Sequence, residues 1–196
     1  MTPVLHIVVA DDEPDVRDYY RKILPRLGHN VVAAASTGTE LIDLCRAHQP
    51  DLVITDIKMP DMDGIDAAVQ IYRDKPIPVI LVSAYSDEKL IERAEADHIM
   101  SYLIKPIKQA DLEPAIALAV RRFKQFEALR HEASDMRQAL EDRKIIERAK
   151  GILMKELSLS EAEAFRRLQK TASAKNLKLI EVAQLALTTA KGLHTP

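Results

Sequence analysis

Five short apolar runs alternate with amphipathic segments through the first part of the chain. The runs are rich in Val, Ile and Ala, which is typical of strands buried on both faces of a sheet. Because an amphipathic segment separates successive runs, the strands are expected to be parallel. The pattern predicts an α/β fold with a doubly wound five-stranded sheet in the order 2-1-3-4-5. The predicted strands cover residues 5–10, 31–35, 52–55, 79–82 and 102–104, and the predicted helices cover residues 16–27, 39–48, 64–72 and 87–96 and resume near residue 111.

The pattern of the chain changes after Pro114. Nine of the ten prolines lie at or before this position, and neither proline nor glycine interrupts the helical pattern from Ala115 to Lys150. A helix of that length needs a packing partner, because one small domain cannot cover it. Its apolar residues recur three or four apart, the spacing of a coiled-coil seam, which either pairs two chains in parallel or packs on its own chain. The seam residues are Phe123, Phe126, Leu129, Ala133, Met136 and Leu140.

The end of the chain has the pattern of a small helical bundle. Ser160 and Glu163 are spaced as a capping box that starts its second helix. A third amphipathic segment follows a short turn. We therefore expect three parts. They are an α/β domain at residues 1–122, a coiled-coil linker at residues 123–140 and an all-α three-helix domain at residues 141–196.

Composition constrains the compartment and the partners. The single cysteine, Cys45, excludes a disulfide framework, so we expect a cytoplasmic protein. No apolar run approaches the roughly 18 residues of a membrane span, so we expect no membrane association. The first 136 residues contain 16 Lys and Arg against 23 Asp and Glu, whereas the last 60 contain 12 against 7. This asymmetry favours a cation or control site followed by a polyanion-binding module, although solvated faces would give the same numbers.

Charged side chains directly follow several of the predicted strands. Asp11 and Asp12 come after the first strand and Asp56 after the third, and these strands are neighbours in the predicted order. Two carboxylates about 5 Å apart repel each other by roughly 3 kcal/mol at an effective dielectric constant of about 20. They therefore either bind protons or hold a cation. Because all the ligand atoms would be oxygens, the favoured cation is Mg²⁺. Ser83 and Lys105 end the fourth and fifth strands. A hydroxyl and an ammonium beside Mg²⁺ suit a transferred phosphoryl group, whereas the first acidic pair alone would fit an ordinary helix N-terminus.

These residues resemble the receiver domain of two-component response regulators over residues 4–122. The resemblance implies a flavodoxin-like fold in which Asp56 accepts a phosphoryl group from a histidine kinase. It implies Mg²⁺ ligation by Asp12, Asp56 and the Lys58 carbonyl, with Asp11 acting mainly through water. Lys105 is then expected to pair with a phosphoryl oxygen and to precede a cis peptide bond, and Ser83 and Tyr102 form a switch pair. The motifs that carry the resemblance are Asp11-Asp12, Asp56-Ile57-Lys58-Met59-Pro60-Asp61-Met62-Asp63-Gly64, Ser83-Ala84 and Tyr102-Leu103-Ile104-Lys105-Pro106.

A cationic stripe is expected on the first helix of the basic tail. On a helical wheel Lys144, Arg148 and Lys155 share one side, with Gly151 between them. A mid-helix glycine costs about 1 kcal/mol relative to alanine, so a close neighbour is expected there, either another helix or a sugar-phosphate chain. Phe165 is assigned to the core by its spacing, which leaves no aromatic platform for stacking on bases. The predicted RNA contacts are Lys144, Arg148, Lys150, Lys155, Arg167 and Lys170, with a solvated face as the alternative for the last two.

The tail resembles an ANTAR domain over residues 137–190. That family is the RNA-binding transcription antitermination module, so the resemblance implies recognition of paired hairpins in nascent mRNA, which blocks formation of a terminator. It also implies that Ala149, Ala164 and Ala183 are packing residues. The segments that carry the resemblance are residues 145–154, residues 160–165 and Val182-Ala183.

The leading interpretation is a phosphorylation-controlled antiterminator. Its expected partners are a sensor histidine kinase, RNA and, through the coiled coil, a second copy of the chain. We do not expect an enzyme, since the site supports only its own phosphorylation. One alternative is a DNA-binding output, because two helices joined near Asn176 resemble a helix-turn-helix, but residues 178–190 contain no arginine to read guanine. Another alternative is a tail that docks to a protein.

Overall fold

The computed structural model describes residues 3–84 and 99–192 and contains a five-stranded parallel sheet in the order 2-1-3-4-5. This confirms the predicted fold class. Each strand begins and ends within one residue of its predicted bounds, since the apolar runs are the segments that the fold buries. The predicted helix at residues 87–96 lies outside the described residues. The strands are β1 (His6–Ala10), β2 (Asn30–Ala35), β3 (Leu52–Asp56), β4 (Val79–Ser83) and β5 (Ser101–Ile104).

The described residues form six helices, and three of them begin after a side-chain cap, at Thr37, Asp63 and Ser160. The helices are α1 (Pro14–Arg26), α2 (Gly38–His48), α3 (Gly64–Asp74), α4 (Gln109–Leu157), α5 (Glu161–Lys175) and α6 (Leu179–Gly192). Before α3, the Asp63 carboxylate accepts a hydrogen bond from the Asp66 N–H at 2.8 Å. Before α5, Ser160 and Glu163 form the predicted capping box. Each cap satisfies a helix N–H that has no partner within the helix.

Helices cover both faces of the sheet, and each face has its own apolar cluster. Side chains alternate along β1, so Val8 and Ala10 join a cluster with α2 and α3, whereas Ile7 and Val9 join a cluster with α1 and the start of α4. All residues of β3 and β4 are buried. The carboxyl ends of these strands are therefore fixed in position by a core on both sides.

The predicted coiled-coil seam divides into two parts. Phe123 and Phe126 are partly buried against the apolar cluster shared by the sheet, α1 and α4. For these two residues the structure shows the packing on the same chain that helical periodicity left open beside pairing with a second copy. The rest of the seam is exposed, with exposed fractions of 66%, 59% and 60% at Leu129, Met136 and Leu140.

The chain forms two compact units, Met1–Glu127 and Ala128–Pro196, whose boundary falls inside α4. The second unit has a small apolar core in which Ala149, Ala164 and Ala183 are fully buried, as the resemblance implies. Phe165 differs from its predicted place in that core: Ala164 takes the buried position. No helix in the described ranges is both long and apolar enough to cross a membrane.

Candidate functional site

The register of the sheet brings three carboxylates to one edge. Ala10 at the end of β1 pairs with Thr55 of β3, so Asp11 and Asp56 continue from neighbouring strands at the same level. Asp11 and Asp56 are buried, and Asp12 is exposed. One carboxylate oxygen from each of the three residues lies within 4.8 Å of the other two. The structure thus brings together the residues that the sequence predicted for a metal site.

The Lys105 ammonium lies among these acidic groups. Its Nζ is 2.7 Å from Asp56 Oδ2 and 2.9 Å from Asp11 Oδ2, and the more exposed Glu13 Oε1 is 3.3 Å away. Partial burial alone would lower the pKa of Lys105, but its hydrogen bond to Asp56 and its attraction to Asp11 outweigh this effect and raise the pKa. Lys105 is therefore a permanent cation here. The Lys105–Pro106 peptide is cis, as the resemblance implies.

One ammonium does not balance the charge of the carboxylates. Burial raises the pKa of Asp11, against the opposing effects of Lys105 and the Glu13 N–H, and the Asp56 charge raises it further. Asp11 Oδ2 is buried and at ion-pair distance from Lys105, but no residue in the described ranges gives it a hydrogen bond of good geometry. Its lone pairs are thus available to a cation. An all-carboxylate donor set with a net negative charge fits a hard divalent ion such as Mg²⁺.

The acidic loop after β1 is held by residues that sequence reasoning missed. The Arg17 guanidinium donates to the carbonyl oxygens of Asp11 at 2.6 Å and Asp12 at 2.9 Å. The Glu13 N–H donates to Asp11 Oδ1 at 3.0 Å. Arg17 lies in α1, five and six residues beyond its acceptors, and no periodic pattern in the sequence marks it as a partner of the loop.

The backbone around Asp56 is closely packed. The Thr55 hydroxyl donates to the Asp56 carbonyl at 2.9 Å, and the Ile57 N–H donates to the Val82 carbonyl at 3.0 Å. Gly64, the first residue of α3, approaches so closely that a Cβ at this position would collide with the Asp56 carbonyl. The turn between β3 and α3 therefore fixes the backbone position of Asp56, and with it the place of its carboxylate.

The two predicted switch residues lie on neighbouring strands. Ser83 is buried at the end of β4, and its carbonyl accepts a hydrogen bond from the Lys105 N–H at 2.8 Å. Tyr102 of β5 pairs in the sheet with Leu81 and is half-buried against the cluster that α2 and α3 share with the sheet. The same strand pair thus links the edge that carries Asp56 to the Tyr102 ring.

Most of the predicted RNA-contacting residues in the second unit are exposed. Lys144 forms an ion pair at 2.6 Å with Glu141, and both side chains are largely exposed. Within the described ranges, no ion pair involves Arg148 or Lys155 on α4. Arg167 and Lys170 are exposed on α5. Exposed cations are therefore present on both α4 and α5.

Lys150 is the exception among the six. Its side chain is only 9% exposed, and its Nζ lies 2.9 Å from Glu147 and 2.7 Å from Glu161. The ammonium also lies 5.8 Å from the centre of the Phe165 ring, within the range of a cation–π contact. Hydrogen bonds to Glu161 and Glu147 raise its pKa. Lys150 therefore ties α4 to the first turn of α5, and its charge is already neutralised within the bundle.

Two protein families match this sequence. Residues 7–117 match the response regulator receiver domain, and residues 134–185 match the ANTAR domain. Over 190 residues the chain is 40% identical to the transcriptional regulatory protein PdtaR of Mycobacterium tuberculosis, with 97% of this chain and 91% of that protein covered. The chain belongs to the response regulators. It is a regulatory protein of a two-component system, with a receiver domain and an ANTAR output domain.

Solved receiver structures agree with the fold of this response regulator. The signal receiver domain of NarL from Mycobacterium tuberculosis is 27% identical, with a TM-score of 0.58 over 61% of this chain and 98% of that chain. CheY of Borrelia burgdorferi, in a complex with CheX, BeF₃ and Mg²⁺, is 27% identical, with a TM-score of 0.55 over 58% of this chain and 87% of that chain. Both comparisons cover the receiver part of the response regulator.

Proposed function

We propose that Asp56 of this response regulator accepts a phosphoryl group from a sensor histidine kinase, and that the ANTAR domain binds paired hairpins in nascent mRNA and prevents formation of a terminator. Such a protein acts in the cytoplasm, where nascent transcripts are made. The observation that carries the proposal is the contact of 2.7 Å between the Lys105 ammonium and the Asp56 carboxylate, beside two further aspartates.

The contacts of Asp56 support its role as the nucleophile. A carboxylate oxygen of Asp56 attacks the phosphorus, the P–N bond to the kinase histidine breaks, and the imidazole keeps the electron pair. Lys105 already lies within hydrogen-bond distance of the carboxylate, so it is placed to neutralise an oxygen of the transferred group. The Lys58 N–H, 3.3 Å from Asp56 Oδ1, is a second donor on the opposite side.

The carboxylate cluster supports Mg²⁺ as the cofactor of this reaction. Asp11, Asp12 and Asp56 would hold the ion together with the Lys58 carbonyl, and Asp11 would act mainly through water. When bound, Mg²⁺ neutralises the charge on the phosphoryl oxygens. The donor set fits this ion, since the buried Asp11 Oδ2, although 2.9 Å from Lys105 Nζ, receives no hydrogen bond of good geometry from the described residues. The relative from Borrelia burgdorferi, similar over the receiver, is in a complex with both BeF₃ and Mg²⁺.

The Ser83 and Tyr102 pair provides a route from the site to α4. Phosphorylation draws the Ser83 hydroxyl toward the phosphoryl group, and the Tyr102 ring turns into the space that it leaves. Tyr102 lines a cleft with Asp111 and Pro114 in the first turns of α4. Because α4 is one helix of 49 residues that ends among the exposed cations, repacking at its start favours one arrangement of the RNA-binding residues.

The proposed RNA surface consists of Lys144, Arg148, Lys155, Arg167 and Lys170, all of which are exposed. Lys150 is left out, because its ammonium is buried between two glutamates. Helical cations suit phosphate contacts and side-chain hydrogen bonds to a folded RNA.

Fluorescence anisotropy with the full chain tests which nucleic acid the ANTAR domain binds. We expect a labelled RNA with two paired hairpins to bind with a dissociation constant that rises steeply with salt, and a duplex DNA of equal length to bind more weakly at every salt concentration. Equal affinity for both would support only nonspecific polyanion binding. Tighter binding to DNA would indicate a helix-turn-helix output, and no binding to either would indicate a protein-docking tail.

The exposed part of the seam supports a parallel homodimer. In the exposed seam, Ala133 and Leu140 take heptad position a and Met136 takes position d. This register puts Glu132 at position g and Arg137 at position e. In a parallel pair, Glu132 of one copy faces Arg137 of the other. An antiparallel pair would instead bring the position e cations Arg130, Arg137 and Lys144 of the two copies together.

A charge swap tests this orientation. Glu132→Lys is expected to raise the dimer dissociation constant about fivefold, because two attractive exposed pairs become repulsive. The double variant Glu132→Lys with Arg137→Glu restores the opposite charges and should dimerise like the wild type. Sedimentation equilibrium measures both constants. An unchanged constant in the single variant, or no recovery in the double variant, would contradict the parallel pairing.

A further inference from the structure

Gly151 is a glycine for which the fold gives no reason. It lies inside α4 and is exposed, and a Cβ added at this position would meet no atom within 4 Å. A glycine inside a helix destabilises the helix relative to alanine. The sequence pattern predicts either a packed helix or a sugar-phosphate chain against this residue. No described part of the chain packs there, so the first expectation is wrong.

Three other glycines have structural reasons. Gly28 has a φ of 83°, which side chains rarely adopt. A Cβ at Gly38 would collide with the Met62 carbonyl, and one at Gly64 would collide with the Asp56 carbonyl. Gly151 has neither a positive φ nor a close neighbour. The helix thus has a bare backbone surface that intramolecular packing does not require.

The surroundings of this bare surface are cationic. Arg148 lies one turn before Gly151 and Lys155 one turn after it, and both are exposed. Within the described ranges, neither side chain takes part in an ion pair. Lys150, the adjacent residue, points its charge into the bundle instead. The two free cations therefore flank the glycine, about 10 Å apart along the helix.

We infer that a phosphate of the bound RNA lies directly against the α4 backbone at Gly151, between Arg148 and Lys155. This inference rests on the proposed RNA-binding function and adds a contact point to it. Without a Cβ, the phosphate comes closer to the helix, so both flanking cations reach its oxygens. A second copy of the chain is a poorer occupant, because two like-charged stripes facing each other would repel.

Gly151→Ala in the full chain separates stability from binding. It is expected to raise the melting temperature of the ANTAR unit by about 4 °C, because alanine favours the helix. The same variant is expected to weaken binding of the two-hairpin RNA about fivefold or more, and Gly151→Leu should weaken it further. Ala139→Ser is the control, since it adds one atom to an exposed position of α4 about 18 Å before Gly151 and should leave the RNA affinity unchanged.

The outcomes distinguish the inference from the function on which it rests. Wild-type binding with an equal affinity in Gly151→Ala would overturn the inference and leave the proposed function standing. A lower melting temperature in Gly151→Ala would also overturn it, because the fold would then require the glycine. A change in oligomeric state with unchanged RNA affinity would assign the surface to a second copy. Absence of RNA binding by the wild type would overturn both.

Discussion

Asp56→Asn is expected to abolish phosphoryl uptake from acetyl phosphate. An amide is not a nucleophile toward phosphorus, and no other carboxylate in the described ranges shares the contacts of Asp56 with both the Lys105 ammonium and the Lys58 N–H. The variant should fold, because asparagine has the same shape and Lys105 keeps its partner Asp11. Intact-protein mass spectrometry measures the phosphorylated fraction.

A nearby aspartate provides the matched control. Asp61 is exposed in the turn after β3 and has a φ of 66°, a backbone conformation that asparagine tolerates. Asp61→Asn removes one negative charge close to the site and should leave phosphorylation near the wild-type level. Phosphorylation of the Asp56→Asn protein to the wild-type extent would show that another residue is the acceptor.

Arg148→Gln combined with Lys155→Gln is expected to weaken RNA binding by roughly tenfold at 0.1 M salt, and to reduce the slope of log affinity against log salt by about 2. The reason is that each cation releases about one counterion on contact with a phosphate. Neither side chain has an ion pair in the described part of the chain, so their removal leaves no partner uncompensated. Anisotropy titrations at several salt concentrations measure both effects.

A variant with the same change in net charge separates contact from general attraction. Lys22→Gln with Arg26→Gln removes two exposed cations from α1 in the receiver unit. It should change RNA affinity by less than twofold. If both double variants weaken binding equally, the cations on α4 act only through the overall field of the protein.

The strands and the receiver site follow from local sequence rules. Runs of β-branched residues mark the buried strands, and charged residues directly after them lie at the carboxyl edge of a parallel sheet. These rules alone predict that Asp11, Asp56 and Lys105 lie together, and the three side chains are in contact in the folded chain. They do not identify Arg17, because its hydrogen bonds to the acidic loop depend on the direction in which α1 leaves it.

The errors arise where helical periodicity is interpreted without tertiary context. A helical wheel of α4 assigns Lys150 to one face of the helix. It does not show that Glu161, eleven residues later and on the next helix, forms an ion pair with Lys150. Likewise, the spacing of Phe123 fits a seam between chains as well as a contact with the receiver core. Gly151 shows the opposite case: its low helix propensity predicts a close neighbour, and the fold removes one of the two alternatives, because no described atom packs there.

The proposed function requires that phosphorylation of Asp56 controls RNA binding. The most direct measurement is the affinity of the full chain for the two-hairpin RNA with and without beryllofluoride and Mg²⁺, with the oligomeric state measured by sedimentation in the same samples. We expect beryllofluoride to tighten RNA binding and increase the dimer fraction of the wild type, and to change neither in Asp56→Asn. If beryllofluoride leaves both the affinity and the oligomeric state of the wild type unchanged, phosphorylation of Asp56 does not control RNA binding.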